Sequence, residues 1–355
     1  MTDVREVRAA LLGAAIVGLY LALVLGTGLV NVGDFSQLLS GYLKISFALW
    51  VFLGLIVIAI KLGVGAFRSG REAFLADFCR GLLLVRWRRD RCVSLLWPPL
   101  LLAFLLASFN AFKQMVLPLA GFRFDPLFTA LDRAVFLGAD PWRVSHAIFS
   151  SERATLMIDS AYHGWFLPMT LGLSICAYLP GATFRLRTQY ILTYIGVWVG
   201  IGSVLAFLLP AAGPCFYSHF HGTSPSFDEL RLRLVEAQTA VGSPFTSLKY
   251  QAFLLKTFGN DQLARGGGIS AMPSVHNGLA VLFALGAFRL NRLLGYVFSA
   301  YAGLIWIGSF HLGWHYAIDG LVAAALTVGL WRVTGRVADA LERPLQLGSR
   351  QPATA

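Results

Sequence analysis

This 355-residue sequence carries little charge. Only 13% of its residues are Asp, Glu, Lys or Arg, and 57% are hydrophobic, whereas a soluble domain carries about 25% charged residues. Length alone would permit two or three soluble domains; the composition argues instead for one membrane-embedded bundle. Acidic residues are scarcer still, 18 against 29 Lys and Arg, giving a formal net charge of +11. A chain this basic can bind nucleic acid, but its basic residues sit in short loops between apolar runs. That pattern sets topology and favours anionic lipid, so nucleic acid is not an expected partner. Cysteine is sparse too. Cys79, Cys92, Cys176 and Cys215 are too widely spaced for a metal clip, and they read as unpaired thiols rather than a disulfide framework. There is no internal repeat, and no low-complexity tract before the tail after Pro344.

What is present is a series of apolar runs. A spanning helix needs about 20 mostly apolar residues. Eight candidates follow, near 9–30, 45–66, 94–112, 157–179, 189–209, 275–289, 294–310 and 316–333, the sixth of them short. The first, preceded by Arg5 and Arg8, is too long for a signal core and reads as a retained helix. The basic stretch from Lys61 to Arg91 and the pairs Arg185/Arg187, Arg289/Arg292 and Arg332/Arg336 fall on one side, which the positive-inside rule makes cytoplasmic. Two long segments then fall outside, Lys113 to Leu156 and Pro210 to about Ser274. In the first, Asp125-Pro126 and Asp140-Pro141 are helix-start signals. Leu127, Phe128, Leu131 and Val135 could share one face of a short helix lying in the membrane interface or packed on the bundle.

Two short stretches carry the chemistry, Ser270-Ala271-Met272-Pro273-Ser274-Val275-His276 and His311-Leu312-Gly313-Trp314-His315-Tyr316-Ala317-Ile318-Asp319. No Lys, Arg, Asp or Glu occurs between Leu293 and Ile318 or between Gly320 and Trp331, so Asp319 is a lone ionisable residue at membrane depth, a functional candidate by default. Four-residue spacing puts His315 and Asp319 on one helix face. Asp319 could then fix the tautomer of His315 and leave its other nitrogen as nucleophile or base. One turn separates helix six from helix seven, so His276 and His315 reach the same side, and His276 can protonate a leaving group. The helix start at Ser274 offers free N–H groups to a phosphate, Gly266 to Gly268 allow close backbone approach, and Arg265 and Lys249 are the nearest cations in sequence.

Pro273-Ser274-Val275-His276 followed by His315-Tyr316-Ala317-Ile318-Asp319 resembles the type 2 phosphatidic acid phosphatase superfamily, whose second motif is Pro-Ser-x-His and whose third ends in His-x-x-x-Asp. The likeness covers roughly residues 190 to 333. It implies a phosphohistidine on His315, oriented by Asp319, with His276 as general acid and no cofactor. Two departures stand out. The Arg that usually lies six residues before the third-motif His is Ser309 here, and the first motif, Lys-x6-Arg-Pro, is absent. The pattern looks more like the branch containing the inositol-phosphorylceramide synthases, whose third motif reads His-Tyr-x-x-Asp without that Arg. Lys249 and Arg265 are the proposed substitutes, and His311 and Tyr316 are further candidates for contact with the headgroup.

Two other classes compete. His311, His315 and Asp319 step by four, so with His276 they could hold zinc in a metal-dependent membrane hydrolase. A non-catalytic transporter or scaffold is the third reading. His146, His163, His219 and His221 read as packed, hydrogen-bonded residues. The expected architecture is an all-α integral membrane protein of about eight transmembrane helices, with a six-helix phosphatase-like core and short interfacial helices. Its expected divisions are 1–112 (N-terminal helices and basic loop), 113–156 (interfacial), 157–336 (catalytic core) and 337–355 (a disordered tail). The expected setting is a bacterial inner membrane with the site facing outward, the substrate a lipid phosphate or phospholipid.

Overall fold

The computed structural model describes residues 4–69, 89–178 and 183–343. Every regular element among them is helical. Helices α1 (Val4–Gly26), α2 (Val32–Ser69) and α3 (Arg89–Ala111) come first. The segment expected to lie outside, here called the outer segment, holds α4 (Asp125–Val135), α5 (Pro141–Ile148) and α6 (Glu152–His163). Then follow α7 (Phe166–Tyr178), α8 (Phe184–Gly196), α9 (Tyr217–His221), α10 (Pro225–Val241) and α11 (Thr246–Thr257). The chain ends in α12 (Val275–Phe288), α13 (Arg292–His311) and α14 (Ala317–Glu342). Of the tail expected to be disordered from 337, residues up to Glu342 belong to α14; residues 344–355, and the middle of the basic loop, lie outside the described residues.

Among the described residues, six helical stretches are long and apolar enough to cross a membrane: Val4–Gly26, Val32–Ile56, Trp97–Ala120, Phe184–Leu208, Arg292–His311 and Ala317–Glu342. The protein is a multi-pass membrane protein. The short sixth candidate is α12, which packs along α13 and α14 and so has protein to cover its ends. The fourth candidate, 157–179, is not one helix but α6 and α7, broken at Gly164-Trp165. Pro168 explains the break, because its ring displaces the carbonyl four residues back and it has no N–H to give. Leu11, Leu19, Leu23, Phe47 and Phe52 are exposed on α1 and α2, a surface that lipid tails match and water does not.

The outer segment is fastened down by three buried aspartates, each taking two successive backbone N–H groups. Asp125 accepts from Ala212 at 2.9 Å and Gly213 at 2.8 Å, Asp132 from Ala317 at 2.8 Å and Ile318 at 2.9 Å, and Asp159 from Thr246 at 2.7 Å and Ser247 at 2.9 Å. Asp132 and Asp159 thereby cap the free N-termini of α14 and α11 from other helices. Asp125 also accepts from Tyr316 Oη at 2.8 Å and His221 Nε2 at 3.0 Å. The Asp-Pro signals mark helix starts near 125 and 141, but neither side chain caps its own helix; Asp140 binds Arg133 and Ser226 instead. The shared face expected for Leu127, Phe128, Leu131 and Val135 is corrected in one residue. Leu127, Leu131 and Val135 are exposed, whereas Phe128 is buried beside Asp125 and Asp132.

At the far end of the bundle the predicted basic pairs converge. Arg185 forms a two-bonded pair with Asp339, Arg187 pairs with Glu6, and Arg5 lies 3.9 Å from Glu342.

Two predictions follow from these clamps. Asp125→Ala leaves four donors without an acceptor and should lower unfolding stability by about 3–5 kcal/mol, since breaking a buried charged network strands its partners; thermal unfolding in detergent measures this. Burial pushes the Asp132 carboxyl up to about 7 against the pull of the Ile318 and Ala317 amides. A carboxyl raised on folding contributes stability below its unfolded value of about 4, and that contribution is lost as pH rises through the folded value. The wild type should therefore lose stability relative to Asp132→Asn between about pH 4 and 7, and a pH-independent difference would refute the shift.

Candidate active site

Sequence places Ser274 before a run of small and apolar residues, and the structure makes it the N-cap of α12: its Oγ accepts from Asn277 N at 3.3 Å and Asn277 Nδ2 at 3.0 Å. This leaves the N–H groups of Val275 and His276 unclaimed in the first turn. His276 is half-buried, and its ring lies 4.1 Å from that of Trp165 and 5.2 Å, stacked, from that of Tyr162. The break between α6 and α7 is what turns Trp165 inward. No hydrogen bond engages the His276 ring among the described residues.

His315 follows the tight turn that ends α13. Gly313 sits there at φ +77°, and the His315 N–H donates to Ser309 O at 3.0 Å. The ring is buried, 5.6 Å from His276 centroid to centroid. Its Nδ1–H donates to Ala271 O at 2.8 Å. A carbonyl only accepts, so this bond fixes the Nδ1–H tautomer and leaves Nε2 with a free lone pair.

The role expected for Asp319 therefore changes. His315 lies before α14, not on it, so the helix-face argument does not apply. Asp319 is the third residue of α14, its Oδ2 accepts from Tyr316 N at 3.0 Å, and His315 Nδ1 is 3.5 Å away. The Ala271 carbonyl makes the closer contact to the ring. Asp319 Oδ1 and Tyr162 Oη are both buried without a hydrogen-bond partner among the described residues, two unsatisfied polar atoms beside the histidine pair.

Four other predicted residues do not join the site. His311 is fully buried, with Nδ1 3.0 Å from Ser145 Oγ, Nε2 3.1 Å from Thr155 Oγ1, and its ring stacked 4.0 Å from that of His146. Both its nitrogens are engaged, and it ends α13 instead of sharing a face with His315 and Asp319. The zinc tetrad His276, His311, His315 and Asp319 accordingly does not converge, and no group of three or more such ligands is placed to hold a metal among the described residues. Tyr316 is buried and donates to Asp125. Lys249 is exposed on α11. Arg265 is also exposed and turns toward α2, where its guanidinium packs against Gly41. Exposed arginines gain more from a helix surface and water than from a dry pocket.

Lys113 lies within electrostatic reach of both histidine rings. A π-helical turn, Phe112–Val116, carries it at the end of α3, and such turns re-aim side chains. Gly267 and Gly268 serve this turn. A Cβ on Gly268 would fall 2.8 Å from Lys113 Cγ and 2.9 Å from its carbonyl. Gln114 holds Ala264 by two 2.9 Å bonds, and Asn110 Nδ2 donates to Gly267 O. Gly267 and Gly268 thus bring their backbone against the turn that carries Lys113. A sequence signal for Lys113 existed: it is the only charged residue between Arg91 and Arg123. Ser309, at the position of the missing Arg, is buried and donates to Trp306 O.

Two histidine rings 5.6 Å apart, one with a pinned tautomer, stand beside a helix start and near a lysine, groups of the kinds that phosphate chemistry uses. A family profile described as the PAP2 superfamily matches residues 127–333. The chain belongs to the PAP2 superfamily. It is an enzyme of the phosphatidic acid phosphatase type, a phosphoric-ester hydrolase or phosphotransferase, which sets aside the transporter or scaffold reading. No curated protein and no solved structure matches it. The PAP2 match begins well before residue 190, where the likeness read from the motifs starts, and takes in the Asp132 and Asp159 clamps.

If Lys113 grips the phosphate of a PAP2 substrate, Lys113→Met should weaken competitive inhibition by inorganic phosphate at least about tenfold, the equivalent of one lost charged contact. An unchanged inhibition constant would remove Lys113 from the site.

Proposed function

We propose that this PAP2 enzyme cleaves or transfers a lipid phosphate through a phosphohistidine on His315. The observation that carries the reading is the Nδ1–H bond from His315 to Ala271 O, which leaves Nε2 as the nucleophile beside His276. In the first step His315 Nε2 forms a bond to phosphorus, the P–O bond to the leaving alcohol breaks, and His276 gives that oxygen its proton. In the second step His276 takes a proton from an acceptor hydroxyl, whose oxygen displaces His315 and restores the ring. Lys113 and the first turn of α12 hold the equatorial oxygens. Asp319 stabilises the positive charge that the ring carries while phosphorylated, through the 3.5 Å contact to Nδ1.

With water as acceptor the enzyme is a lipid phosphatase. With a lipid or sugar hydroxyl it is a headgroup transferase, and the His-Tyr-x-x-Asp third motif without its Arg supports the inositolphosphotransferase-like branch. The catalytic unit in this reading begins at Lys113, not 157, because Lys113, Asp125 and Asp132 build the site. Convergence of the basic pairs at the end opposite the histidines supports a pocket facing outward from a bacterial inner membrane.

The test supplies a labelled lipid phosphate or phospholipid, with and without alcohol acceptors. Free phosphate marks hydrolysis and a new labelled ester marks transfer. His315→Ala should lose at least about a thousandfold in turnover and trap no acid-labile label, and His276→Ala about a hundredfold or more. Asp319→Asn should cost less than His315→Ala, since Ala271 still orients the ring. Undiminished turnover in His315→Ala would overturn the mechanism.

A further inference from the structure

The end of the bundle away from the histidines holds a cavity of about 310 Å³ lined by Arg185, Arg289, Trp331, Arg332, Arg336 and Asp339, with Gln189 and Gly335. Its residues come from three separate helices: the start of α8, the end of α12 and the last turns of α14. Asp339 is already taken by Arg185, whose Nη1 donates to Gln189 Oε1 at 3.1 Å, while Gln189 Nε2 donates to Trp331 O at 2.8 Å. Gly335 makes room for this floor, since a Cβ there would lie 2.9 Å from Gln189 Nε2 and 3.3 Å from Arg185 Nη2. Above it, Arg289, Arg332 and Arg336 are exposed and have no ion-pair partner among the described residues. Four arginines against one carboxylate leave three positive charges around one opening.

We propose that this opening is a second, non-catalytic site that takes the phosphate headgroup of an anionic phospholipid. Arginine matches phosphate oxygens two at a time. The opening lies at the ends of spanning helices, where headgroups sit, and Trp331 is the residue type that favours that depth. Leu293 and Val333, both exposed on α13 and α14, offer apolar surface to acyl chains at the same level. Fourteen residues of α12 separate it from the histidine end, about 20 Å of helix. Arginines that only anchor topology need no fixed floor and no shared cavity; these have both.

The full chain in a neutral detergent would be titrated with phosphatidylglycerol, phosphatidylcholine or inorganic phosphate, following thermal unfolding and lipid retention by native mass spectrometry. Phosphatidylglycerol should be retained and raise the unfolding temperature by several degrees, and phosphatidylcholine should not. The double variant Arg289→Gln/Arg336→Gln should bind it at least tenfold more weakly while hydrolysing or transferring substrate phosphate as the wild type does, which also shows that it folds. Arg332→Gln alone should weaken binding in part. His315→Ala should keep the full shift, which separates this site from the catalytic reading. An equal shift with phosphatidylcholine, or an undiminished one in the double variant, would overturn the site; an equal shift with inorganic phosphate would overturn the lipid assignment.

Discussion

Free backbone N–H groups at helix starts and sharp turns cannot be left unpaired where water is scarce, and this molecule answers that constraint with carboxylates from neighbouring helices. Asp125, Asp132 and Asp159 each bind two consecutive amides, and each joins the outer helices to a segment that carries or flanks the histidines. Asp132 holds the start of α14, on which Asp319 stands. Asp125 holds the 211–213 turn, and Ala211 O in turn accepts from Ala271 N, the residue whose carbonyl orients His315. The orientation of one imidazole thus traces back, through three hydrogen bonds, to a carboxylate on a helix outside the spanning bundle.

In the proposed reading the site holds phosphate without the arginine usual in the third motif. Ser309 is sealed in the core, and the cation comes from α3 by way of a π turn. A lysine near two histidines would be costly if all three were charged together; a phosphate's negative charge makes the group compatible. Two buried polar atoms without hydrogen-bond partners among the described residues belong to Asp319, beside His315, and Tyr162, stacked on His276.

Much of this was legible in the sequence. The apolar runs gave the membrane class, and the two histidine motifs gave the family and the parity that places His276 and His315 together. What misled was helical periodicity carried across a turn. His311, His315 and Asp319 step by four, but the chain leaves the helix at Leu312 and re-enters at Ala317, so the stripe does not exist and the zinc set dissolves with it. Lys113 is hard to place from sequence, because a π turn has no periodic signature and the loop packed on it is about 150 residues away. Arg265 and Lys249 were favoured for nearness along the chain, which carries little weight where loops pack across a bundle. Asp-Pro signals located helix starts correctly near 125 and 141, yet could not tell which helix each carboxylate would cap.

Helix α4 is built inside out. Its inward face carries Asp125 and Asp132, whose oxygens are filled by backbone amides, while Leu127, Leu131 and Val135 look outward. A soluble protein would reverse that assignment. Stripping the spanning helices or recolouring their lipid-facing surface would therefore not free this enzyme from the bilayer, because the layer that shapes its pocket is itself written in the alphabet of a membrane protein.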